Sequence, residues 1–247
     1  MATTKTKPMP VFWPDKARAE LGDARYEAAL RDPLSVDLLN WNIFQSLETH
    51  QDQDWLAYRL QMFGGTDLAP PVRMQLWTGR ATDPRMEPSR GYLQAADARA
   101  REAGATDEDI ARLREPIEVP VRIESPDVLC LVHTVLDRTD RGTAGRDRLL
   151  ALIDGGIEHA RRLGKQLAVA VVYRAGSQAA TELSGRLNEL RGSLAEELPH
   201  QPKAKDVQLR DMSWQQLVRV WESEMSYLDL PGSPKAFLSH LKANDLY

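Results

Sequence analysis

The stretch from residue 118 to residue 160 constrains the fold of this chain more than any other. It contains two short apolar runs, 117–125 and 127–136, separated by a Ser-Pro turn, and then an amphipathic helix predicted over 144–164. Runs of this length and composition are typical of buried strands. The next run, 165–174 (KQLAVAVVYR), is continuously apolar, which predicts a central strand buried on both faces. Together these segments predict an α/β fold.

Helices and further strands surround this stretch. We expect Asp15 to begin a helix that runs to about Leu30, and Ser35 to begin a second, deeply packed helix. Strands are predicted at 71–79 and 206–209, and a capping box at Ser213 predicts a late helix. Residues 81–115 are polar and rich in Ala and Arg, which indicates a solvent-facing helical insertion. We therefore expect a flexible N-terminus over 1–10 and a single domain over 11–247.

Charge and cysteine content exclude several classes of function. The 247 residues carry a net charge of −4, so there is no overall electrostatic attraction to nucleic acid. The single cysteine, Cys130, excludes an intramolecular disulfide and a cysteine-based zinc site. No apolar stretch approaches the ~18 residues of a membrane span, and the N-terminus lacks the apolar region of a signal peptide. We expect a cytoplasmic protein with no membrane partner.

Three segments carry a resemblance to a known superfamily. They are residues 41–47 (WNIFQSL) on the second helix, 118–127 (EVPVRIESPD) on the first strand of the pair, and 146–149 (RDRL) at the next helix start. In these segments, and in the order helix, three strands, helix, strand, the chain resembles bacterial restriction-endonuclease-like proteins of the PD-(D/E)XK nuclease superfamily. The resemblance implies an α-β-β-β-α-β core. Its mixed central sheet would be flanked by helices, with helical extensions at both ends of the chain.

The resemblance also implies a metal site that this chain lacks. In the superfamily an Asp on one strand and Glu-x-Lys on the next bind Mg²⁺ and stabilise the developing charge. The corresponding positions here hold Pro120, His133 and Val135. Proline offers no ligand oxygen, neutral imidazole is a poor ligand for a hard cation, and valine has no charge. We therefore predict a catalytically inactive protein without a cofactor, in which His133 is a buried, hydrogen-bonded strand residue.

A rearranged active site is the alternative that the sequence leaves open. In that case the protein would be an active endonuclease that uses Mg²⁺, with ligands drawn from four other carboxylates: Glu48, Glu118, Glu124 and Asp127. Asp127 and Asp137 stand at the two ends of one strand. At ~3.3 Å per residue they are roughly 30 Å apart, too far to share a metal ion. Glu124 and Asp127 are better explained as residues that flank the turn.

A group of arginines after the strand pair is a candidate contact for DNA phosphates. It comprises Arg138, Arg141, Arg146 and Arg148. Acidic residues are interspersed among them, so a solvated loop is the simpler interpretation. The acidic balance of the whole chain favours a protein partner over autonomous DNA binding. The resemblance implies a scaffolding or nucleic-acid-associated subunit in bacterial DNA processing or genome defence.

Overall fold

The computed structural model describes residues 8–65, 67–79, 85–137 and 147–247. The elements in chain order are α1 (Pro14–Leu21), α2 (Asp23–Arg31), α3 (Val36–Asn40), α4 (Gln53–Gly64), β1 (Arg73–Thr78), α5 (Arg90–Glu102), α6 (Asp107–Arg112), β2 (Val119–Glu124), β3 (Val128–Thr134), α7 (Arg148–Leu163), β4 (Gln166–Tyr173), α8 (Gln178–Glu197), β5 (Gln208–Ser213), α9 (Trp214–Glu224) and α10 (Pro234–Ala243). The predicted α/β class is confirmed.

One five-stranded sheet forms the centre of the molecule, in the order β1-β2-β3-β4-β5. The pairs β1–β2 and β2–β3 are antiparallel, whereas β3–β4 and β4–β5 are parallel. Strand β2 therefore runs against the other four. The two parallel connections each contain a long helix, α7 and then α8, as crossovers between parallel strands require.

Helices cover both faces of the sheet. Side chains on the first face pack with α1–α4, α9 and α10, and those on the second face pack with α5–α8. In β3, Cys130 and Val132 point to the first face and Leu129 and Leu131 to the second, and all four are completely buried. Burial on both faces is what the unbroken apolar runs predicted.

Side-chain caps fix several helix starts where the sequence predicted them. The hydroxyl of Ser35 accepts a hydrogen bond from the amide of Leu38, and Thr106 and Ser213 each form a complete capping box. The first predicted helix differs, because it is two helices broken at Gly22. This glycine has φ 76°, a conformation that ends α1 and that other residues adopt only with strain.

The second predicted helix changes its winding at residues 41–45. This stretch forms a π-helical turn between α3 and the loop before α4. Its Asn42 side chain accepts a hydrogen bond from the amide of Phe12 (2.8 Å) and donates one to the carbonyl of Pro10 (2.8 Å). Residues 8–10 are the described part of the N-terminus that was predicted to be flexible. They are held there, with Met9 buried; residues 1–7 lie outside the described ranges.

The predicted insertion contains helices α5 and α6 in its described part, 85–115. Its outer surface is exposed, but Tyr92, Ala96 and Ala100 are buried on the second face. The solvent-facing prediction therefore holds for only one side of α5. Gly155 of α7 allows the backbone at Glu87 to lie close to this helix, because a Cβ at position 155 would be 3.2 Å from the carbonyl oxygen of Glu87.

Candidate functional site

The three positions that the resemblance assigns to a metal triad lie at one end of the β2–β3 pair. Val121 pairs with Val132, so the next pair in the antiparallel register places Pro120 opposite His133. Val135 continues beyond β3, and its amide donates to the carbonyl of Val172 (2.8 Å). Pro120 therefore lies in β2, His133 in β3 and Val135 just after β3.

His133 is enclosed rather than presented to solvent. Burial, followed by the nearby charge of Arg148, lowers the pKa of His133 from 6.5 to about 4. The ring is therefore neutral at pH 7, in agreement with the predicted buried residue. The predicted hydrogen bond is not found with any residue of the described ranges.

The depressed pKa of His133 makes the stability of the protein depend on pH. The unfolded residue binds a proton near pH 6.5, whereas the folded one does so only near pH 4. As the pH falls through this window, the mismatch in proton binding at His133 therefore lowers the free energy of unfolding by about 1.4 kcal/mol per pH unit. Above pH 6.5 this residue is neutral in both states, and its titration no longer changes stability. We expect His133→Leu to lose stability less steeply across the window, measured by urea unfolding. Equal slopes for both proteins would contradict this prediction.

The side chains of β2 do not alternate regularly between the two faces of the sheet along the whole strand. Val121 and Ile123 pack on the first face, as strand parity predicts, but Val119 packs on the second. The change occurs at Pro120, which lies opposite Trp77 of β1, a residue with φ 51°. Proline has a fixed φ and no amide hydrogen, so it interrupts regular pairing. Strict alternation along a strand would place Val119 on the same face as Val121, and the structure shows that it does not.

Glu118, just before β2, belongs to a cluster that the sequence did not reveal. Arg25 of α2 lies between Glu118 and Asp37 of α3. Its guanidinium donates to both oxygens of Asp37 (2.7 and 2.7 Å) and to both oxygens of Glu118 (2.9 and 3.0 Å). The indole of Trp77 donates to Asp37 (3.0 Å) and lies beneath the guanidinium. We call these four residues the Arg25 cluster.

The Arg25 cluster brings two carboxylates together around a fixed positive charge. Burial opposes the charge on Arg25, but the hydrogen bonds that it donates to Asp37 and Glu118 raise the pKa of its guanidinium above the ordinary value. Bidentate contacts of this kind are the strong form of ion pair. The guanidinium therefore occupies the position between the carboxylates that a cation would need.

Replacement of Arg25 should destabilise the fold, because it leaves Asp37 and Glu118 facing each other. We expect Arg25→Met, which keeps the aliphatic packing on Trp77, to lower the free energy of unfolding by about 1–2 kcal/mol after allowance for solvent screening. Arg18→Met is the matched control, since Arg18 also joins two carboxylates but on the open surface. The control should show no measurable change in urea unfolding; equal losses would contradict the prediction.

The other carboxylates considered as metal ligands are dispersed. Glu48 accepts a hydrogen bond from the amide of Met74 (3.2 Å) and so caps the edge of the sheet. Glu124 accepts one from Lys165 (2.6 Å). Although burial alone would raise the pKa of Glu124, Lys165 helps to lower it. Asp127 is exposed in the turn before β3.

These placements do not fit a magnesium site. Among residues of the described ranges, no group of three His, Cys, Asp or Glu side chains is arranged to hold a metal ion. Glu48, Glu118, Glu124 and Asp127 share no partner with one another. Of the four arginines considered for DNA contact, Arg148 lies at the start of α7, whereas Arg138, Arg141 and Arg146 lie outside the described residues.

Comparison with protein-family models, curated proteins and solved structures found no match for this chain. No helix in the described ranges is long and apolar enough to cross a membrane.

A second polar cluster, absent from the sequence-based prediction, lies on the opposite face of the sheet. Asp154 of α7 is completely buried. It accepts hydrogen bonds from the amide and hydroxyl of Ser89 (2.6 and 2.9 Å) and from the side chain of Gln201 (2.8 Å). His200 Nε2 lies 2.8 Å from the same carboxylate and 3.0 Å from the Ser89 hydroxyl. Only Ser89, as a helix-capping residue, has a signal in the sequence.

Serine, histidine and aspartate are the residue types of a hydrolase triad, but their geometry here is different. In a triad the histidine contacts the acid with one ring nitrogen and the serine with the other. Here Nε2 of His200 faces both groups. The Ser89 hydroxyl also caps α5 by accepting from the amide of Tyr92 (3.1 Å). The cluster therefore anchors α5 to α7 and has no activated nucleophile.

Proposed function

We propose that the protein is a catalytically inactive PD-(D/E)XK nuclease-fold protein that serves as a nucleic-acid-associated or scaffolding subunit in bacterial DNA processing or defence. Three features of the topology support this proposal. From α4 to β4 the order of elements is helix, three strands, helix, strand, once α5 and α6 between β1 and β2 are set aside as an insertion. The first three strands form an antiparallel meander, and β4 joins it in parallel after α7.

The observation that carries the loss of activity is the chemistry around the start of β2 and the end of β3. Pro120 and Val135 offer no ligand, and His133 is buried and neutral at pH 7. Asp37 and Glu118, the latter just before β2, are both bound by Arg25. A divalent cation would have to displace a guanidinium that makes four hydrogen bonds, so the proposal requires no metal-dependent step.

The test is incubation of the pure protein with labelled single-stranded and double-stranded DNA in the presence of Mn²⁺. We expect intact DNA on a denaturing gel. Cleavage that disappears in Glu124→Gln or Asp127→Asn would instead establish an active nuclease with a rearranged site. Cleavage that Glu48→Gln or Glu118→Gln abolishes would have the same meaning, whereas cleavage that all four variants retain would indicate a contaminating enzyme.

The same samples on a native gel distinguish a subunit that binds DNA directly from one that serves as a scaffold for other proteins. A shift that weakens with salt, and weakens further in Arg148→Glu, would support direct contact with DNA phosphates. Arg161→Glu is the matched control, because Arg161 lies at the opposite end of the same helix. The absence of a shift would favour the scaffolding role, which the net charge of −4 also favours.

A further inference from the structure

A cavity of about 480 Å³ lies between the segment that leads into α5 and the C-terminal half of α7. His200 forms part of its wall, packed so closely against the start of α5 that a Cβ on Gly91 would lie 2.4 Å from its ring. We call this cavity the α5–α7 pocket. It is on the second face of the sheet, separate from the Arg25 cluster, and the proposed function does not use it.

The N-terminus of α5 opens into the α5–α7 pocket. Ser89 caps the helix through the amide of Tyr92, but the amides of Arg90 and Gly91 have no acceptor among the described residues. Both residues line the pocket. Free amides at the start of a 13-residue helix, together with the positive end of its dipole, favour an anion.

His159 supplies an independent indication of a ligand. It lines the same pocket and is only 5% exposed, yet its Nε2 atom is buried without a hydrogen-bond partner among the described residues. A buried polar nitrogen that lacks a partner is costly. Nε2 is closed to solvent, so the ring must turn toward the pocket before a protonated Nε2 can donate to an oxygen bound there, which would remove this cost.

Three arginines and two glutamates line the pocket, so its charged side chains sum to +1. Arg85, Arg90 and Arg162 line it, and neither Arg90 nor Arg162 forms an ion pair with a described residue. Two glutamates also line it, but each has a cation nearby. Glu158 is bound by Arg161 outside the pocket (2.7 Å), and Glu87 lies 3.7 Å from Arg85.

The buried carboxylate of Asp154 lies behind the wall of the pocket. It is fully engaged by Ser89, His200 and Gln201, and no oxygen of it is left without a donor. It therefore fixes the start of α5 in place rather than competing for a ligand. The pocket thus combines fixed amide donors, unpaired guanidinium groups and an unpartnered imidazole.

We propose that the α5–α7 pocket binds a phosphate group. Guanidinium groups and helix-terminal amides are the donors that match the oxygens of a phosphate monoester. The same chemistry would accept either a small phosphorylated molecule or the terminal phosphate of a nucleic-acid strand. This site stands independently of the proposed nuclease-fold function, so each can fail without the other.

The first test is titration of the full-length protein with inorganic phosphate by isothermal calorimetry. Arg90→Gln and Arg162→Gln should each raise the dissociation constant by about tenfold, the loss of one charge-assisted contact. Both side chains are exposed, so the variants should fold. Arg210→Gln is the control, because Arg210 is an exposed arginine on β5 that does not line the pocket; it should bind phosphate unchanged.

A second titration compares an oligonucleotide that carries a 5′-phosphate with the same oligonucleotide carrying a 5′-hydroxyl. Preference for the phosphorylated strand, lost in Arg162→Gln, would support the site and identify a strand end as its ligand. Binding of inorganic phosphate without that preference would support the site and identify a small molecule. No saturable binding of either probe, or equal weakening by Arg210→Gln, would overturn the proposal.

Discussion

Asp154→Ala is expected to lower the free energy of unfolding by about 3–5 kcal/mol, because it removes the acceptor from several buried donors at once. The amide of Ser89 and the side chain of Gln201 both lose the carboxylate as an acceptor, and Gln201 is itself buried. His200 is less affected, since a quarter of its side chain is exposed and solvent can replace the contact.

Urea unfolding of Asp154→Ala measures this loss, and Asp107→Ala provides the comparison. Asp107 is an almost fully exposed aspartate at the start of α6, so its removal should change stability little. Hydrogen exchange adds a local measurement: the amide of Ser89 should lose its protection in Asp154→Ala. A loss no larger than that of Asp107→Ala, with the Ser89 amide still protected, would contradict the structural role of the cluster.

Much of the fold could be predicted because its signals are local. The strand pair, the central strand β4 and the caps at Ser35, Thr106 and Ser213 each depend on residues within a few positions of one another. The break at Gly22 was missed because glycine inside an otherwise helical pattern is tolerated as often as it ends a helix. Only the backbone shows that its φ is positive.

The polar clusters could not be predicted because their members are distant in the chain. Arg25 and Glu118 are separated by 93 positions, and Asp154 and His200 by 46. Glu118 was considered as a possible metal ligand of a rearranged site because it is one of the carboxylates near the strand pair. The residue that neutralises it lies on a helix whose orientation no sequence pattern reveals. The sequence therefore identified a carboxylate of interest but not the cation that binds it.

The inference that this chain lacks a metal triad differs from the prediction of helices and strands. It depends on residue types and on strand register together. The types at Pro120, His133 and Val135 are evident from the sequence, and the register that brings the first two together is a property of the sheet. What the structure adds is the burial of His133 and the ion pairs of the Arg25 cluster. Both make recruitment of a metal ion at this end of the sheet less favourable.

Trp221→Ala is expected to destabilise the protein by about 3–5 kcal/mol, the cost typical of removing a buried aromatic side chain. Trp221 of α9 is completely buried and its indole donates to the hydroxyl of Ser46 (2.7 Å). Its ring stacks on Phe12 and meets Phe237 of α10 edge to face. The substitution would therefore leave a cavity where the N-terminal segment, the π-helical turn and both C-terminal helices meet.

Trp55→Ala is the matched control, because Trp55 is 42% exposed on α4 and its removal leaves no enclosed cavity. Urea unfolding should give a clearly smaller loss for this variant. Limited proteolysis distinguishes a local from a general effect: since Trp221 and Phe237 hold Phe12 in the core, cleavage near residues 8–13 should accelerate in Trp221→Ala and not in Trp55→Ala. Similar losses in both variants, without faster cleavage, would mean that the hydrogen bonds of Asn42 and Trp41, and not the ring of Trp221, hold the N-terminal segment.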